Sequence, residues 1–133
     1  ITPLMVQAAA NSFSQGTSST YDGFHPRHIG LLSRDGLETL AFILMACERA
    51  GAWPDDLRAI TIALIPKAKG GTRPIGLYPA IHRAWCRIRR PIADKWEADN
   101  QRGYYAASKR QAATDTVWAQ SLKAEIAANR KQE

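Results

Sequence analysis

The chain has 133 residues, 45% of them hydrophobic, which suffices for one modest core and argues against wholesale disorder. Eighteen Lys and Arg against twelve Asp and Glu give a net charge of +6, a balance that suits a polyanionic partner. No apolar run reaches the ~18 residues of a membrane span, no signal peptide is visible, and Cys47 and Cys86 by their own spacing make neither a disulfide scaffold nor a zinc site.

A first helix is expected over residues 2–14, with Pro3 in its first turn. A polar loop follows, and Pro26 then opens a short apolar turn. The strongest helical pattern covers 35–50. Asp35 and Glu38 have capping-box spacing, and Leu37, Leu40, Ala41, Leu44 and Cys47 recur at the helical period. Phe42, Ile43 and Met45 widen that arc, so burial on more than one side is expected. Gly51 ends the helix. Trp53 is a candidate core anchor.

Residues 59–65 alternate as a strand, with Ile60, Ile62 and Leu64 as its half-buried face. "PKAKGGT" is turn chemistry, and "RPIGL" returns as the second strand. Pro66 and Pro74 keep this hairpin short and edge-like. Residues 78–100 are helical from near Pro79, with Ile81, Trp85, Ile88, Ile92 and Trp96 in one stripe. Pro91 must kink this helix or begin another. A last helix is expected over 112–129, with Val117, Trp118, Leu122 and Ile126 on its apolar side. The fold class expected is α+β, mainly helical with one short antiparallel hairpin.

The charge is uneven. Twelve of the eighteen basic residues fall in 58–110, against three of the twelve acids. Lys67 and Arg73 stand six apart across Gly70–Gly71. Lys supplies a compact charge and Arg a planar fork, and two such groups converging at a hairpin tip can grip phosphate oxygens. The same pattern also describes a solvated turn. Arg83, Arg87 and Arg90 share a helix face that can follow a nucleic-acid backbone, or simply face water. Tyr104–Tyr105 beside Lys109–Arg110 suits single-stranded nucleic acid, although loop tyrosines also pack onto their own domain. His25 and His28 lack a third ligand nearby, so no metal site is expected there.

The order "W-P", strand, "LIPKAKGGTRPIGL", then "YPAIHRAWCRIRR" resembles the fingers region of reverse transcriptases. It is most similar to those of retrotransposons without long terminal repeats, and more distantly to group II intron enzymes. The resemblance spans roughly residues 20–127. It implies a fingers-like subdomain of a right-hand polymerase, in which Lys67 and Arg73, with Lys69 assisting, contact the phosphates of the incoming nucleotide. It also implies that Ile65, Ile75 and Leu77 pack near template and nucleotide. The partners implied are an RNA or DNA template-primer and a deoxynucleoside triphosphate. The setting expected is intracellular, and nuclear for a eukaryotic retroelement.

Nucleotidyl transfer needs carboxylates that hold two divalent metals about 4 Å apart. After Gly71 the acids are Asp94, Glu97, Asp99, Asp115, Glu125 and Glu133, all in helical or loop contexts. No catalytic residue and no metal ligand is therefore expected in this chain, and Mg²⁺ only with a complete palm domain. The organisation expected is an N-terminal helix and linker over 1–20, a fingers-like domain over 21–110 and a C-terminal helix over 111–133 leading towards an absent palm. Two functions remain open: a fingers fragment of a polymerase, inactive alone, or a truncated or domesticated fingers-like domain serving a larger protein assembly.

Overall fold

The computed structural model describes residues 1–102 and 112–130. It is mainly helical with one two-stranded antiparallel sheet. Contacts divide the chain into two compact units, Ile1–Arg90 and the residues from Pro91 onward. This differs from the expected boundary after residue 20, because the first helix belongs to the core of the larger unit.

Helix α1 spans Pro3–Asn11. Thr2 starts it, its Oγ1 accepting the Met5 N–H at 3.3 Å, which satisfies one of the donors a helix N-terminus leaves free. A 3-10 helix, Pro26–Leu31, follows the polar loop. Helix α2 spans Arg34–Ala50, and its cap is Ser33, not Asp35: Ser33 Oγ accepts the Gly36 N–H at 3.2 Å. Asp35 sits in the first turn, where its charge suits the helix dipole. Glu38 pairs with Arg34 at 3.1 Å and closes no capping box. Gly51 terminates α2 at φ 63°, the left-handed conformation that favours glycine.

Leu37, Leu40, Ala41 and Leu44 form the buried face of α2, with Leu44 fully enclosed. They pack with Val6, Ala9 and Ala10 of α1 and with Ile29. Burial on several sides of α2 does not occur here: Phe42 is 69% exposed, and Ile43 and Met45 are exposed with it. The apolar arc is wider than the core that it meets.

Strand β1, Thr61–Pro66, pairs antiparallel with β2, Thr72–Leu77. The register sets Ile65 opposite Arg73, Ala63 opposite Ile75 and Thr61 opposite Leu77. The half-buried residues are Thr61, Ala63, Ile75 and Leu77. Ile62 and Leu64 lie on the opposite face at 60% and 63% exposure, so the face expected inside is the outer one. Directly opposite residues point the same way. The larger apolar residues of the two strands therefore fall on different faces, and β1 alone does not reveal which one is covered.

Helix α3 spans Ala80–Asp99 and runs through Pro91 as one helical segment. Proline has no N–H to offer the Arg87 carbonyl, and the division between compact units falls at this point. Ala80, Ala84 and Ile88 are buried in the first unit, with Ile81 and Trp85 packed against its core. Beyond Pro91, Ile92 and Trp96 are 59% and 64% exposed. Helix α4, Ala113–Arg130, buries none of its residues. Among the described residues no helix is long and apolar enough to cross a membrane.

Candidate functional site

The hairpin tip is a five-residue turn. Lys67 N–H donates to the Gly71 carbonyl at 3.0 Å, and Gly70 N–H donates back to the Lys67 carbonyl at 3.1 Å. Gly70 and Gly71 adopt φ of 88° and 77°. A side chain there would strain the backbone, so the Gly-Gly pair fixes the path by which β1 turns into β2.

That turn continues the strand alternation by one step. Lys67 is a diagonal cross-strand neighbour of Arg73, on the face that also carries Ile65, Ile75 and Leu77. Five of the residues expected to act together thus share one side of the hairpin. Lys69 lies in the turn itself. Lys67, Lys69 and Arg73 are exposed, and none has an ion-pair partner among the described residues.

The base of the hairpin is held by residues 20–22. Tyr21 N–H donates to Thr61 Oγ1 at 3.3 Å, and the Tyr21 hydroxyl donates to the Asp56 carbonyl at 2.5 Å. Asp22 Oδ2 accepts the Ala80 N–H at 2.8 Å, capping α3 from across the fold. Its Oδ1 accepts the Thr20 hydroxyl and the Phe24 N–H. Burial pushes the Asp22 carboxyl up. Those hydrogen bonds and the charge of Arg83 outweigh that push and leave it below its ordinary value.

The arginine stripe has partners within the protein. Arg83 donates to the Ser18 carbonyl at 2.8 Å. Arg87 places its guanidinium carbon 4.5 Å from the centroid of the Phe13 ring, a cation–π contact. Arg90 is exposed. Arg89, beside the stripe, forks onto Glu48 of α2, which also accepts the Trp85 indole N–H at 2.6 Å. Arg89 is the main reason that the Glu48 carboxyl lies below its ordinary value. From the sequence, Asp94 and Glu97 look like the local acids for this helix. Glu48, 41 residues from Arg89, is an ionic partner that only the tertiary fold supplies.

Trp53 anchors an aromatic cluster. Its ring lies 5.4 Å from that of Trp85 and 5.0 Å from His82, and Tyr78 stacks on His82 at 4.4 Å. His25 Nδ1 accepts the Arg27 N–H at 3.1 Å, a structural role that starts the first 3-10 helix. No three of His, Cys, Asp and Glu come together as a metal site among the described residues. Tyr104, Tyr105, Lys109 and Arg110 lie outside the described residues. The chain matches no protein-family model, no curated protein and no solved structure.

Proposed function

We propose that this chain is the fingers part of a reverse transcriptase, in which the hairpin grips an incoming nucleotide against its template. Lys67 and Arg73 take the phosphates and Lys69 assists from the turn. Ile65, the exposed apolar residue of the same face, is the one that base and template reach, while Ile75 and Leu77 on that face are half-buried beneath it. The observation that carries this reading is the diagonal placement of Lys67 and Arg73, both exposed and without an ion-pair partner among the described residues. Two cations on one side of the hairpin, with no ion-pair partner among the described residues, suit a polyanion. Arg83 and Arg87, already engaged with Ser18 and Phe13, contribute less to backbone binding than the hairpin. The metal-holding carboxylates belong, in this reading, to a palm domain beyond these residues.

A second reading, a fingers-like domain serving a larger protein assembly, is favoured by a different observation. Ile62 and Leu64 on the outer hairpin face, and Val117, Trp118 and Leu122 on α4, are all more than half exposed. One titration separates the two. Fluorescence anisotropy of a labelled RNA–DNA template-primer should show binding that weakens with salt. The Lys67→Ala/Arg73→Ala double variant should lose most of it at an unchanged melting temperature. Absence of binding at low salt, or equal binding by the double variant, removes the nucleotide-gripping reading.

A further inference from the structure

Cys86 follows His82 by one helical turn on α3, and its Sγ lies 3.6 Å from His82 Nδ1. The i,i+4 spacing puts both donors on one helix face. Zinc bonds of about 2.0–2.1 Å to nitrogen and about 2.3 Å to sulfur, at a tetrahedral angle, separate the two donors by about 3.6 Å. We propose that His82 and Cys86 form a two-point chelate for a zinc-class cation, with water at the remaining positions. The sequence argument against zinc considered Cys47 with Cys86, whereas the fold pairs Cys86 with a histidine instead.

Two features suit the pair to this role. Tyr78 stacks on the imidazole with an interplanar angle of 16°, and Trp53 and Trp85 pack at 5.0 and 5.6 Å, so the ring is held with Nδ1 facing the thiol. Cys86 is exposed, which leaves the other coordination positions open to solvent. Binding replaces the S–H bond by a metal–sulfur bond and releases one proton to water. With two protein ligands the site is open and exchangeable, unlike a closed structural zinc site. The inference is independent of the polymerase reading.

A thiol–imidazole hydrogen bond has the same geometry, and cobalt distinguishes the two. Co²⁺ titrated into the reduced 133-residue chain should bind once per chain, with thiolate-to-cobalt charge-transfer absorption that Zn²⁺ abolishes on displacing it. Cys86→Ser should eliminate that absorption, while Cys47→Ser should leave it unchanged. His82→Phe, which keeps an aromatic ring in the stack, should weaken binding by at least the roughly tenfold that loss of even an outer partner costs. Cys86→Ser alters an exposed side chain, and its circular dichroism should match that of the parent, so the test stands even if His82→Phe unfolds. No charge-transfer absorption at excess cobalt, or absorption that survives Cys86→Ser, overturns the proposal.

Discussion

Replacing Glu48 by alanine removes the acceptor shared by Arg89 and Trp85. The Arg89 and Glu48 side chains are 29% and 25% exposed. The pair thus stands between surface ion pairs, worth about 0.2–1 kcal/mol, and fully buried ones, where losing one partner costs about 3–5 kcal/mol. The indole N–H loses its partner as well, roughly 1 kcal/mol if no water replaces it. A destabilisation of about 2 kcal/mol follows, which for a unit of this size lowers Tm by about 8–16 °C. Thermal unfolding followed by circular dichroism measures it, with Glu38→Ala as the control. That residue pairs with Arg34 in an exposed i,i+4 geometry, the two side chains 51% and 87% exposed, and its loss should cost under about 0.5 kcal/mol. If the two variants melt together, the α2–α3 clamp contributes no more than a surface pair and the reasoning is wrong.

The same carboxyl gives a pH test. Arg89 holds Glu48 below its ordinary value of 4.5, so its contribution is complete above that pH and is lost as pH falls through the lower folded value. The stability gap between the parent and Glu48→Gln, from urea unfolding, should therefore close on acidification. Asp22→Ala should cost about 1–2 kcal/mol, the range of a lost helix cap, in the same assay. Gly71→Ala, at φ 77°, should cost about 1–2 kcal/mol by forcing a side chain into the left-handed region, read as a lower urea midpoint. The pure 133-residue chain should extend no primer with Mg²⁺ or Mn²⁺, and any extension product on a denaturing gel contradicts the assignment of catalysis to a palm beyond it.

Local chemistry made much of this fold legible. Pro3, Gly51 and Gly70–Gly71 mark boundaries through backbone geometry alone, and the structure uses them as the sequence suggests. Leu37, Leu40 and Leu44 were readable as core because one helical period selects them. The cap of α2 was misplaced because Ser33 and Asp35 both precede an apolar run and only the backbone path chooses between them. Which face of the hairpin is covered was illegible from β1, since the register with β2 decides it. Lys67 and Arg73 were visible as a pair from their spacing. The partners of Arg83, Arg87 and Arg89 were not, because Ser18, Phe13 and Glu48 lie 65, 74 and 41 residues away along the chain. His82 and Cys86 carried a signal, the i,i+4 spacing, that counting cysteines alone passes over.

The clasp at Thr20–Asp22 has a consequence for the order in which the molecule folds. A hairpin with a five-residue turn closes locally, in about 1–10 μs. Tyr21 bonds Asp56 and Thr61, just before and at the hairpin's base, across 35 and 40 residues, and Asp22 bonds Ala80 across 58. Such closures carry a larger entropic cost and come later. The strands therefore acquire their pairing before they acquire their direction. The N-terminal segment then acts as the late step that orients an already formed arm, and replacing Tyr21 and Asp22 would loosen that arm's aim while leaving α1 in the core.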